Sequence, residues 1–249
     1  MSHGDIVGHA FRLAGGLTPE PFAAAYRARG RVQIADFLHA GDAEALYDAL
    51  RASQRWRLVF NDGDRVYELD RETQAGLPDG KMEQLALAAY RGARAGFQYR
   101  YEAIRVPDGA AMRAASGTSL DDFAAFLSGG DAADFLKAVT GDAHIRFADA
   151  QATAFGLNHF LTAHHDEVSG KQRSAAYAMS LTPGWRPDFG GILMFHDENG
   201  QIEEGYTPRF NALNLLAIPQ PHSVSIVTPF APSRRYSVTG WLRTSEQPA

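Results

Sequence analysis

Cysteine is absent from the 249 residues. Disulfides, zinc-thiolate centres and iron-sulfur clusters are therefore excluded, and any metal must be held by histidine and carboxylate. Long apolar runs are missing too. Nowhere do about 18 consecutive apolar residues offer a bilayer span, and Met1 to Gly16 has no basic stretch followed by an apolar one, the mark of a secretory leader. A cytoplasmic protein with no membrane partner is expected. Positive charge is also scarce: Lys and Arg number 24 against 29 Asp and Glu, for a net charge of -5 and a pI near 6.0. A basic stripe that could displace counterions from nucleic acid is not available, and no nucleic-acid partner is expected.

What is present suits a globular chain. Hydrophobic residues make up 45% and charged residues 21%, outside the low-hydrophobicity, high-charge range of disordered chains. No fixed-period repeat, low-complexity tract or linker interrupts the sequence. One domain over residues 1–249 is expected, with helical support and the first strands in 1–145 and a β-rich core in 146–243.

In the first part, Arg31 to Leu38 reads as a strand. Asp42 is placed to cap a helix whose apolar stripe is Ala43, Leu46, Tyr47 and Leu50. Trp56, Leu58 and Phe60 alternate with polar residues, Asn61 to Asp64 turns the chain and Val66 to Leu69 returns, which predicts a hairpin. Helices are expected over Met82 to Ala95, over Ser119 to Leu127, and from a cap at Asp131 through Phe135, Leu136 and Val139 to Gly141. Val106 to Thr118 reads as irregular. From Arg146 onward short β-like runs take over: Ser174 to Leu181, Gly191 to Phe195, Phe210 to Ile218, Ser223 to Val227 and Tyr236 to Leu242. Such spacing predicts a sandwich or barrel, so the fold class is α+β with a mainly β core.

The densest chemistry lies in Phe160-Leu-Thr-Ala-His-His-Asp-Glu167. Residues two apart on a strand share a face, so His164 and Asp166 can point together into a barrel while His165 points away. His222, in Pro219-Gln-Pro-His-Ser-Val-Ser-Ile-Val227, supplies a third ligand if its strand lies alongside. Two histidines and one carboxylate leave the opposite face of an octahedral ion open to other ligands, which is the arrangement of non-haem Fe(II) oxygenases. A closed structural site would use a fourth protein ligand. Near the C-terminus, Arg235, Ser237 and Thr239 alternate on one strand face. Their guanidinium fork and hydroxyls match a carboxylate, and a buried arginine needs such a partner. Arg234 points the other way. Trp185 and Trp241 are expected in the core, and the loop Glu167 to Arg173 reads either as a substrate lid or as a simple connecting loop.

Taken together, His164-x-Asp166, Pro187-Asp-Phe-Gly-Gly-Ile-Leu-Met-Phe195, Pro221-His-Ser-Val-Ser and Arg235-Tyr-Ser-Val-Thr-Gly-Trp-Leu resemble the prolyl-hydroxylase branch of the 2-oxoglutarate/Fe(II) oxygenases. His165-Asp166-Glu167 and the Arg-x-Ser-x-x-Gly-Trp ending bring the ribosomal prolyl hydroxylases nearest. The resemblance covers about residues 146 to 243. It implies a double-stranded β-helix, a jelly-roll or cupin-like barrel with supporting N-terminal helices. It also implies Fe(II) on His164, Asp166 and His222, and 2-oxoglutarate held at its far carboxylate by Arg235 with help from Ser237. The implied reaction is hydroxylation of an unactivated C–H bond by O2, with succinate and CO2 as coproducts and ascorbate as a reductant. Asp166 separates this chain from related halogenases, which carry a small residue there. A prolyl residue of a protein or peptide is the first expected substrate, and a free amino acid or small metabolite the second. The rival of another class is a non-catalytic cupin-like metal- or ligand-binding module. Ser180 stands where several relatives have a cosubstrate-binding tyrosine, so that hydrogen bond is expected from Tyr177, the neighbourhood of Phe155 or water. The 13 positions between His222 and Arg235 exceed the commonest spacing, which places a bulged turn at Phe230 to Ser233.

Overall fold

The computed structural model describes residues 8–63 and 65–245. The helices of the first part obey local signals. The first, α1 (Glu20–Arg29), follows Pro19 and stops at Gly30, whose φ of 67° lets its N–H close onto Tyr26 O. After β1 (Arg31–Ala35) comes α2 (Ala40–Ala52), which buries Ala43, Leu46 and Leu50 as its stripe predicts. Its N-cap is His39, not Asp42. Asp42 instead directs its carboxylate at Arg12, whose Nη2 and Nε donate to it over 2.9 and 3.1 Å, and this ion pair ties the first segment to the helix.

The hairpin forms as β2 (Arg57–Asp62) and β3 (Arg65–Leu69), with Leu58 opposite Leu69 and Asp62 opposite Arg65. Asp64, in its turn, lies outside the described residues. Next come α3 (Arg71–Ala75), α4 (Lys81–Ala95), β4 (Tyr99–Arg105), α5 (Ala110–Ser116), α6 (Ser119–Ser128) and α7 (Gly130–Thr140). Helix α5 occupies the stretch read as irregular; seven residues hold too few turns for a periodic signal. Thr118 and Asp121 close a capping box at α6. Gly129 caps α7, so Asp131 sits in the first turn rather than at the cap, where its charge still favours the helix dipole.

The second part supplies β5 (Phe147–Ala148), β6 (Gln151–Phe155), β7 (Phe160–His164), β8 (Arg173–Ser180), β9 (Leu193–His196), β10 (Ile202–Tyr206), β11 (Ala212–Ala217), β12 (His222–Val224) and β13 (Arg235–Arg243). The strands hydrogen-bond in the order β1-β11-β8-β13-β6-β4-β7-β12-β9-β10, with β2, β3 and β5 as side branches. This antiparallel path curls into a nearly closed barrel, the expected double-stranded β-helix with helices against it.

Alternation along the strands separates two cores. Tyr177, Met179, Tyr236, Val238 and Leu242 face the helices, where they pack with residues such as Phe37, Leu46 and Phe123. Phe155, Ala176, Leu193, Phe195 and Val224 form a smaller cluster inside the barrel. Each buried Leu or Phe contributes about 1.5–3 kcal/mol, so the helical layer stabilises the sheet from outside and leaves the interior free for polar groups. Among the described residues, no helix is long and apolar enough to cross a membrane.

Candidate active site

Strands β7 and β12 run antiparallel with His164 opposite His222. His164 ends its strand, and Asp166 follows with a φ of 60°, a left-handed conformation that aspartate tolerates better than most residues. The turn brings the carboxylate back between the rings. Asp166 Oδ1 lies 3.5 Å from His164 Nε2, and Oδ2 lies 3.5 Å from His222 Nε2. All three donor atoms fall within 4.8 Å of one another. Cis ligands of an octahedral ion at about 2.1 Å stand about 3 Å apart, so a small inward movement would let the three hold one metal.

The far side of each ring fixes its tautomer. His164 Nδ1 is 3.0 Å from Thr162 O and His222 Nδ1 is 2.8 Å from Gln220 O. With Nδ1–H donating to these carbonyls, each Nε2 keeps its lone pair for the centre. Burial, followed by the neighbouring His164, lowers the pKa of His222 to about 4, so its imidazole is neutral. Burial would raise the Asp166 carboxyl, but the adjoining imidazoles of His164 and His222 hold it below the ordinary value. A neutral His222 ring beside a carboxylate suits a divalent cation.

Deeper in the barrel lies Arg235, only 3% exposed. Its guanidinium sits 5.2 Å from the centre of the Phe155 ring, and Nε has no hydrogen-bond partner. Burial lowers its pKa to about 10, and no carboxylate pairs with it among the described residues. Ser237 and Thr153 face each other across β13 and β6, their hydroxyls 2.9 Å apart. Ser180, opposite Ser237 on β8, is buried with its Oγ unpartnered. Gly191, at φ 63°, passes so near that a Cβ there would meet Arg235 Cδ at 3.0 Å. A buried cation with idle donors and no protein counter-ion fits the far carboxylate of a small dicarboxylate.

Tyr177 does not join this group, which corrects the expectation that it would supply the cosubstrate hydrogen bond. It faces the helical core, and its hydroxyl donates to Asp149 O over 2.7 Å. Odd and even positions of a strand point to opposite sides, and Ser180 has the inward parity that Tyr177 lacks. Ser237 faces inward as expected. Trp241 is half-buried rather than core: the Arg173 guanidinium lies 3.5 Å from its ring centre, and Arg173 Nη1 donates to Asp166 O over 2.8 Å.

Sequence reading missed one wall. Strand β4 presents Tyr101 to the interior, stacked on Phe155 at 5.1 Å, with its pKa raised to about 12, chiefly by burial. Tyr99 and Phe97 continue outward, and Phe97 lies 5.3 Å from the His164 ring. The alternation Phe97-x-Tyr99-x-Tyr101 is a period-two signal that would have marked the strand.

Residues 150–243 match the family model of the 2OG-Fe(II) oxygenase superfamily. This segment is a 2OG-Fe(II) oxygenase domain. The family it belongs to is that of the Fe(II)- and 2-oxoglutarate-dependent dioxygenases, and the His164, Asp166 and His222 group lies within it. No curated protein matches in sequence, but the oxygenase is similar in fold to several solved structures. A prolyl-4-hydroxylase from Pseudomonas putida aligns with a TM-score of 0.60 at 16% identity, over 92% of this chain and 100% of that one. A prolyl 4-hydroxylase from Phytophthora capsici gives 0.58 at 17% identity, covering 96% and 68% respectively. A Trichoplax adhaerens prolyl hydroxylase, solved with a hypoxia inducible factor peptide fragment, gives 0.56 at 13% identity over 91% and 89%.

Proposed function

We propose that the oxygenase hydroxylates a prolyl residue of a protein or peptide, with His164, Asp166 and His222 as the iron ligands and Arg235 as the anchor of 2-oxoglutarate. The observation that carries the site assignment is the buried Arg235 without a protein counter-ion, set behind the three converging ligands. Bound iron and 2-oxoglutarate would supply the oxidising power, with succinate and CO2 as coproducts and ascorbate keeping the metal reduced. The chain's own residues do the rest. Carbonyls of Thr162 and Gln220 orient the two rings, the Arg235 fork holds the far carboxylate, and Ser180 and Ser237 offer hydroxyls beside it. Phe155, Tyr101 and Leu193 line the interior and exclude water.

A peptide substrate is supported by the form of the mouth and by the fold's neighbours. A cavity of about 570 Å³ is bordered by Met112, Lys171, Arg173 and Trp241, and Arg173 links it to the ligand set by donating to Asp166 O. Met112 is 57% exposed and gives the cavity an apolar shelf. On this proposal residues 1–249 act as one domain, with 1–145 bracing 146–243.

The test is succinate release and a mass gain of one oxygen on proline-bearing peptides, under air with Fe(II), 2-oxoglutarate and ascorbate. Hydroxylated proline that disappears in His164→Ala is the expected result. Turnover on free amino acids but on no peptide would replace the prolyl substrate with a small one. Absence of turnover, together with no perturbation of bound Fe(II) by 2-oxoglutarate, would leave a binding module.

A further inference from the structure

Outside the barrel, on the other face of β4 from Tyr101, a second cavity of about 370 Å³ lies between that strand and the turns at 156–159 and 231–234. Arg100 and Glu102 point into it because they alternate with Tyr101. Glu102 is the only carboxylate among the described lining residues, and it is 5% exposed. Arg234 Nε approaches its Oε2 at 3.1 Å, and Arg71 Nη2 approaches Oε1 at 3.7 Å from the rim. Arg100 is drawn to the same carboxylate, while burial lowers its own pKa. Two guanidiniums thus pair with one carboxylate, and a third, that of Arg100, lines the same cavity.

His159 completes the wall. It is 7% exposed, and its Nδ1 accepts the Gly156 N–H over 3.0 Å, which puts the ring proton on Nε2. Burial, then the charge of Arg100, lowers its pKa to about 3, so it is a neutral donor. Leu58 and Met82 give the cavity an apolar side. Half-buried guanidinium charge in excess of its counter-ions is costly, and an anion would offset that cost.

We propose that this cavity is an anion site, distinct from the one inside the barrel, for a small metabolite bearing a carboxylate or phosphoryl group. Arg100 and Arg234 grip the anionic group, His159 Nε2–H donates to it, and the remainder of the ligand rests on Leu58 and Met82. The site stands independently of the prolyl reading, since none of its side chains faces the barrel interior.

The experiment is calorimetric titration of the metal-free full chain with inorganic phosphate and with propane-1,2,3-tricarboxylate, at ionic strength fixed by chloride. Saturable binding of at least one probe is expected. It should persist in Arg235→Gln, which removes the barrel anchor, and weaken about tenfold or more in both Arg100→Gln and Arg234→Gln. The tighter probe assigns the anion as phosphoryl or carboxylate. Arg234, 36% exposed in its side chain, can be replaced with little risk to folding and decides the matter if Arg100→Gln does not fold. The His159 Nε2 nitrogen resonance should shift on binding. No saturable binding by either probe overturns the site, and so does binding that vanishes in Arg235→Gln or is unchanged in Arg234→Gln.

Discussion

His164 and His222 occupy facing positions of the β7–β12 ladder, with ring centroids 4.2 Å apart. Their separation is set by sheet geometry, so two of the three proposed ligands are in place before any metal arrives. Anaerobic Fe(II) should therefore raise the melting temperature of the wild type, because a ligand that binds only the folded state stabilises it. His164→Ala should lose that rise while melting near the wild type without metal. An equal rise in the variant would remove His164 from the site.

Arg235 reverses the usual expectation for a buried charge. With no carboxylate beside it among the described residues, Arg235→Met should leave the ligand-free protein equally or more stable, since the cost of burying the guanidinium disappears. The same change should weaken 2-oxoglutarate binding by about a hundredfold or more, the scale of a lost buried charge-assisted contact. Arg235→Lys should not restore it, because an ammonium cannot make the two-pronged contact. Denaturant titration and quenching of protein fluorescence by 2-oxoglutarate report the two quantities. A marked loss of ligand-free stability in Arg235→Met would show that the arginine serves the fold.

Neighbouring glycines should separate in their effects. A Cβ on Gly190 would collide with the Ile226 carbonyl oxygen, and its φ is 69°. Gly190→Ala should thus cost about 2–4 kcal/mol of stability. At Gly191 the first obstacle is the Arg235 stem, so Gly191→Ala should weaken 2-oxoglutarate more than it destabilises the fold. Urea melts and 2-oxoglutarate titrations of both variants would expose the opposite pattern.

Tyr177 and Ser180 are three positions apart and should behave as different kinds of residue. Tyr177→Phe removes a buried hydrogen bond to Asp149 O, at a cost of about 1 kcal/mol, and should leave half-saturation by 2-oxoglutarate unchanged. Ser180→Ala should raise half-saturation several-fold with no loss of stability, because its hydroxyl has no protein partner. If Tyr177→Phe alone altered half-saturation, the inward assignment of Ser180 would be wrong.

His159 predicts a pH dependence of stability. Its pKa falls from the ordinary 6.5 to about 3 in the folded chain, under burial and the charges of Arg100 and Arg234, with Glu102 facing them. Between those values the unfolded chain binds a proton that the folded chain refuses. Stability is therefore full above pH 6.5 and declines as pH falls toward 3, by at most about 1.4 kcal/mol per unit. His159→Gln should flatten that decline in chloride buffers. Identical slopes in the two proteins would assign the acid sensitivity elsewhere.

The barrel and its candidate site residues were legible because β-strands write period-two patterns and because His, Asp and Arg have few uses in an apolar interior. The inward parity of Arg235 and Ser237 follows from that alternation alone, whereas Asp166 reaches His164 through the left-handed turn beyond the end of β7, which alternation does not describe. Tyr177 was misplaced because parity can be read only once the strand's inward face is known, and Ser174 to Leu181 carries small or apolar residues on both faces. The caps at Asp42 and Asp131 failed for a local reason: a carboxylate in the first turn looks the same in sequence whether it caps, pairs with a distant arginine or meets the helix dipole. Strand β4 escaped notice since Arg100 and Glu102 fill its outer positions, and their cavity comes from segments far apart in the chain.

Asp166 stands at a φ of 60°, a backbone that glycine adopts more easily than aspartate. A single base change converts an aspartate codon to glycine, removing a carboxylate while easing the turn. The proposed metal site and the backbone therefore make opposite demands on position 166. On the proposed ligand set, a glycine there would vacate one coordination position while relieving the backbone, so a change of reaction would not first require stability gained elsewhere.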